Sequence, residues 1–198
     1  MARWLAAMIL IIASLVLLWV LLFTGPRNLS VYPTAAESPY RLPWPAGVSH
    51  WCGQGNRGVV THRGKGEFCY DFGMSVGSDV CAARAGVVCK VVTEHDGNGF
   101  DAPSNEIVVD HQDGTFAWYV HLKKGGAYVT VGQYIRQGQR IGSSGNVGPS
   151  LIPHLHFNVT DGNEDHTIPV TFADVLSDSG IPRMLTRYTS GNICLDAP

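Results

Sequence analysis

Between residues 50 and 160 the chain never sustains an apolar repeat of 3.6 residues. Short runs that alternate in polarity recur instead, each stopped by a turn signal. Such a pattern gives a helix no continuous stripe to bury, whereas a strand places every second side chain on one face. Phe68, Tyr70 and Phe72 fall on one such face and Asp71 on the other. Gly86–Val92 (GVVCKVV) and His154–Thr160 (HLHFNVT) read as strands. Glu106–Asp110 and Thr115–His121 flank His111–Gly114, where Asp113-Gly114 is a hairpin signal. Val129–Ile141 holds two short apolar stretches, each followed by glycine. The expected fold is all-β, a compact antiparallel sandwich or open barrel, with one short helix over Val170–Leu176.

The first two dozen residues differ from the rest. Trp4–Phe23 is almost wholly apolar, with Ser14 its one clearly polar residue. A helix of that length rises about 30 Å, enough to cross a bilayer core. Arg3 before it favours a cytoplasmic N-terminus. A cleaved secretory signal is the alternative, but the run exceeds the usual apolar core of a signal peptide and no small-residue cleavage site follows. Either reading exports the remainder. The expected organisation is a cytoplasmic tip at 1–3, a transmembrane signal-anchor at 4–23, a Pro-rich tether at 24–45, a folded domain at 46–170 and a C-terminal tail at 171–198. The domain would then stand in the periplasm or another extracytoplasmic space, held to the inner membrane by a single span. A net charge of −2 gives no pull toward nucleic acid.

Export permits disulfides among Cys52, Cys69, Cys81, Cys89 and Cys194. Cys81 and Cys89 flank Ala85-Gly86 and would face each other if that pair were a hairpin turn. Cys52 with Cys69 is a second possible pair, leaving Cys194 odd, and buried free thiols are the alternative. No C-x-x-C occurs, which argues against a cysteine zinc site.

Histidine and carboxylate concentrate in three places: His62 with Asp71 in THRGKGEFCYDF, His121 in WYVHL, and His154 with His156 in PHLHF. His154 and His156 share a strand face. On its own H-x-H is a weak signal, Asp71 fits either a solvent-facing or a metal-binding position, and His121 alone suits a structural role. His50, His95, His111 and His166 have no such company and read as surface or turn residues. Together, however, two imidazoles and a carboxylate match the three-ligand, one-open-position requirement of a catalytic zinc.

In this order the segments resemble the lysostaphin-type, or LytM-like, zinc endopeptidases: His62 with YDF, GSDVCAARAG at Gly77–Gly86, WYVHL, VTVGQYIRQGQRIGSSGNVG, and PHLHF. The resemblance covers roughly residues 40–160. It implies that His62, Asp71 and His156 hold Zn2+, that His121 and His154 flank the reacting water and oxyanion, and that the substrate is a peptide bond of peptidoglycan. The loop between His62 and Asp71 is longer than in many members. Val147 replaces a common threonine, and Leu151-Ile152 a common small-residue pair. A non-catalytic peptidoglycan-binding or amidase-regulating module is the competing reading. A biotinyl or lipoyl carrier, suggested by V-x-V-G-Q and I-x-Q-G-Q, lacks its lysine, since Tyr134 and Arg136 stand at that turn.

Overall fold

The computed structural model describes residues 2–23, 28–58, 60–162 and 166–193, excluding the side chains of residues 2, 3 and 20–23. Helix α1 (Ala2–Phe23) comes first. Its described side chains run from Trp4 to Trp19 and are exposed and largely apolar. Among the described residues, no helix is long and apolar enough to cross a membrane. The transmembrane span expected at Trp4–Phe23 is therefore not supported by the described structure.

The rest is β, as the alternation requires. The strands are β1 (Ser49–Gln54), β2 (Tyr70–Gly73), β3 (Asp79–Cys81), β4 (Gly86–Val92), β5 (Glu106–Asp110), β6 (Phe116–Val120), β7 (Leu122–Ala127), β8 (Tyr134–Ile135), β9 (Arg140–Ser144), β10 (His154–Thr160) and β11 (Thr186–Thr189). An eight-stranded sheet has the order β11-β1-β2-β10-β6-β5-β4-β8, and a three-stranded sheet the order β3-β9-β7. Every pairing between named strands is antiparallel. The hairpin through Asp113-Gly114 forms as expected, with Asp110 opposite Phe116.

Period two sorts the large sheet into two faces. Tyr70 and Phe72, Ala117 and Tyr119, and Leu155, Phe157 and Val159 are buried in one core with Val80, Leu122 and Ile141 of the small sheet. The opposite face of β2 and β10 carries Asp71, His154 and His156, and the register sets His156 directly across from Asp71. Strand pairing thus brings together groups 85 positions apart in the chain.

The core begins earlier and ends later than residues 46–170. Tyr40, Leu42 and Trp44, expected in an extended tether, are buried in it. The Trp44 ring packs edge-on to Phe72 at 4.8 Å, and its indole N–H donates to the Val48 carbonyl at 3.0 Å. Phe172, Val175, Ile181 and Tyr188, in the expected tail, are buried too, and β11 extends the sheet. Pro26 of the expected tether lies outside the described residues.

The helix expected at Val170–Leu176 is absent; turn and irregular backbone stand there. The Phe172 and Ala173 amides bond to the distant Gly180 and Tyr40 carbonyls, and only Val175 bonds back within the segment, to Phe172, as a single turn. Nor do Cys81 and Cys89 face each other, because β3 pairs with β9 in the small sheet while β4 pairs with β5 and β8 in the large one. Cys52 and Cys69 carry free thiols and are buried, so the second suggested disulfide is not formed. Burial first, and then the Asp71 charge, push the Cys69 thiol up to about 12. Cys194 lies outside the described residues.

Candidate metal centre

Asp71 is the hub. Its Oδ1 accepts from His156 Nδ1 at 2.8 Å and lies 3.5 Å from His154 Nε2. Its Oδ2 lies 3.2 Å from His62 Nε2 and accepts from Gln54 Nε2 at 3.1 Å. The carboxylate faces neither the apolar core nor open water, but is recessed at the floor of a groove. Burial alone would raise its pKa, yet the surrounding imidazoles of His154, His156 and His62 outweigh that and hold it well below the usual carboxylate range. An anion is therefore held where three imidazoles converge.

The backbone fixes the imidazoles. A carbonyl can only accept, so a ring nitrogen at hydrogen-bond distance from one must carry the proton. His62 Nδ1 donates to Gly55 O at 2.9 Å, His121 Nδ1 to Val147 O at 2.8 Å, and His154 Nδ1 to Ile152 O at 2.8 Å. In the neutral ring each Nε2 then keeps its lone pair. His62 Nε2 is buried with no hydrogen-bond partner among the described residues, although a carboxylate oxygen is close by. A lone pair set against an anionic oxygen is unfavourable unless a cation lies between them. Imidazole and carboxylate are also the donors zinc takes. On both counts His62, Asp71 and His156 fit a zinc ion.

His121 reaches the site by a route that alternation does not reveal. Counting in twos from Ala117 and Tyr119 places it on the core face. Its φ is +66°, however, in the left-handed region that a non-glycine residue seldom adopts. There the chain leaves β6 in the large sheet and enters β7 in the small one. The corner turns the imidazole onto the other face, where its ring stands 4.7 Å from His154 and 5.8 Å from His156. A Cβ at Gly145 would come within 3 Å of the His121 carbonyl and the Lys123 amide, so only glycine fits behind this corner. Burial, followed by the neighbouring His154 and His156, lowers the His121 pKa to about 4. His154 goes the other way: burial disfavours its charge, but Asp71 outweighs burial and the pKa rises.

All five expected site residues thus meet. The long loop after His62 folds back through a single 3₁₀ turn at Gly64–Gly66, pinned by an Arg57–Glu67 ion pair at 3.0 Å. Of the residues read as surface or turn, His50 is half-buried against Trp44, and His111 stands at the Asp113-Gly114 turn but is buried, its Nδ1 donating to Ala85 O at 2.8 Å.

The sequence reading overlooked Gln54. A register shift in β1 sets it opposite Asp71. Its amide N–H group donates to Asp71 and to Thr61 Oγ1, and its carbonyl accepts from the Val60 and Thr61 amides. It ties the approach to His62 onto the carboxylate. A lone glutamine gave no signal, because its role depends on a β-bulge. Ser150 was overlooked as well; its hydroxyl lies 3.1 Å from His154 Nδ1 and donates to Asn146 Oδ1 at 2.6 Å.

The groove over these groups encloses about 480 Å³, and Val60, Leu151 and Ile152 are among the residues that line it. None of its lining residues comes from positions 28–50, so the described part of that segment does not fill it.

A family model described as Peptidase family M23 matches residues 65–168, more than half of the chain. The chain belongs to peptidase family M23. Asp71, His121, His154 and His156 lie within the matched residues, and His62 lies just before them. Lysostaphin of Staphylococcus simulans is 40% identical over 88 residues, 44% of this chain and 16% of that protein. The glycyl-glycine endopeptidase ALE-1 of Staphylococcus capitis is 35% identical over 124 residues, 62% of this chain and 32% of that protein. The peptidoglycan DD-endopeptidase ShyA of Vibrio cholerae is 37% identical over 101 residues, 51% of this chain and 20% of that protein. The M23 match therefore spans at most about a third of these relatives. Among solved structures, the M23 metalloprotease pseudoalterin superposes with a TM-score of 0.52 at 18% identity, over 81% of this chain and 100% of that one, and shares the fold.

Proposed function

We propose that this M23 chain is a zinc-dependent endopeptidase that hydrolyses peptide bonds of peptidoglycan. The observation that carries the reading is the convergence of His62, Asp71 and His156 beneath a groove flanked by two further imidazoles. Relatives named as glycyl-glycine and peptidoglycan DD-endopeptidases support the substrate class. His62, Asp71 and His156 would hold the ion, which when bound supplies Lewis-acid activation of a peptide carbonyl and of water.

The chain's own groups do the rest. Gln54 and the Gly55 carbonyl orient Asp71 and His62, as partners outside the ligand set do in metal sites. His121 and His154 present Nε2 lone pairs beside the ligands. One takes a proton from the attacking water as the C–O bond forms. That proton then passes to the leaving amine nitrogen as the C–N bond breaks, so the hydrolysis balances without a further reactant. The apolar rim at Val60, Leu151 and Ile152 seats the peptide on either side of the scissile bond and excludes water. A non-catalytic regulator would have no need of both the ligand set and the flanking pair.

The test is mass analysis of peptidoglycan incubated with the full chain. Wild type should release fragments with new amino termini and His156→Ala should release none. Equal release by both would refute the ligand assignment, and no release by wild type from any wall preparation would favour the regulator.

We also propose that helix α1 holds the domain at the cytoplasmic membrane, with the β-domain on the outer side. The support is the apolar run Trp4–Phe23 and the exposure of its side chains from Trp4 to Trp19. The full chain should stay with the membrane pellet at alkaline pH and enter the supernatant only in detergent. Recovery in the alkaline supernatant would overturn the proposal.

A further inference from the structure

One donor beside the metal centre has no part in the proposed hydrolysis. Cys69 stands just before β2, two residues ahead of Asp71. Its thiol is free and buried. Cys69 Sγ and one ring nitrogen from each of His62 and His156 all lie within 4.8 Å of one another. Independently, His62 Nε2 is buried without a hydrogen-bond partner among the described residues. Ligand atoms on one tetrahedral ion are about 3.4–3.6 Å apart. The trio therefore needs to close by only about 1 Å, within the reach of a thiol rotamer change.

We propose that Cys69 is a conditional ligand, and that its thiolate joins His62, Asp71 and His156 around soft divalent cations to close the metal centre. The inference rests on the zinc reading in so far as it shares those three ligands. Imidazole and carboxylate suit zinc; thiolate also binds zinc but grips softer ions such as Cd2+ more strongly. Three protein ligands leave a position open for substrate; a fourth makes a closed, structural type of shell. Binding breaks the S–H bond, forms a Cd–S bond and releases the proton to solvent, with no change of oxidation state. The consequence is an enzyme that zinc activates and a thiophilic ion blocks from within.

The experiment is a Cd2+ titration of the full chain after chelator treatment. Ultraviolet absorbance follows sulfur-to-cadmium charge transfer, and dialysis gives the stoichiometry. Wild type and Cys52→Ser should show the band saturating with the first Cd2+ bound. Cys69→Ser and Cys69→Ala should bind Cd2+ without the band and at least roughly tenfold more weakly. Circular dichroism before metal is added shows that both variants are folded. Cd2+ bound by wild type without the band, or an undiminished band in both Cys69 variants, would overturn the inference and leave the zinc reading intact. Failure of every form to bind Cd2+ would overturn both.

Discussion

Asp71→Asn should abolish peptidoglycan hydrolysis while leaving the domain folded. The amide keeps the shape of the carboxylate but loses the charge on which His62, His154 and His156 converge. Loss of a charged ligand removes about 4 kcal/mol of transition-state stabilisation, which corresponds to a rate lower by roughly 10³-fold. The fold should survive, because Asp71 points away from the core and its strand is held on both sides, by β1 and by β10. Initial rates of fragment release, with circular dichroism beside them, check this. Activity within a factor of roughly ten of wild type would show that the carboxylate is not a ligand, whatever its position.

Trp44→Ala should cost about 3–5 kcal/mol of stability, a large part of the total of a typical domain. The residue precedes every strand of the domain, yet it is fully buried and stacks edge-on with Phe72 and His50. Its loss leaves a cavity beneath β1 and β2 and removes the indole N–H bond to the Val48 carbonyl, which keeps only its bond from the Ser190 amide. The melting temperature should fall by about 10 °C. A shift under about 2 °C would mean that residues 40–44 lie on the domain as a detachable strap. Any fragment that begins at residue 46 omits this part of the core and should fold poorly for the same reason.

What the sequence disclosed and what it hid divide along the range of the forces involved. Gly86–Val92, Glu106–Asp110 and His154–Thr160 were legible to the residue, because alternation and turn chemistry are local. The proposed ligand set was legible only through resemblance, since no local rule brings His62 to Asp71 across a loop or sets His156 opposite it. Register does that. The αL corner at His121 was hidden because alternation assumes a continuous strand, whereas the chain changes sheets there. The role of Gln54 was hidden by a bulge. Residues 40–44 looked like tether because they lie in a proline-rich stretch, yet Tyr40, Leu42, Pro43 and Trp44 are buried although they form no strand. Val170, Phe172 and Val175 looked helical, but their apolar side chains are satisfied by packing under the sheet while their backbone bonds elsewhere.

The measurement that bears most directly on the account is the zinc content of the purified full chain and of His62→Ala, Asp71→Ala and His156→Ala, each confirmed folded. The account predicts about one zinc per wild-type chain, the number a single mononuclear site holds, and little or none in each variant. One zinc retained by all three variants would place the metal elsewhere and contradict it.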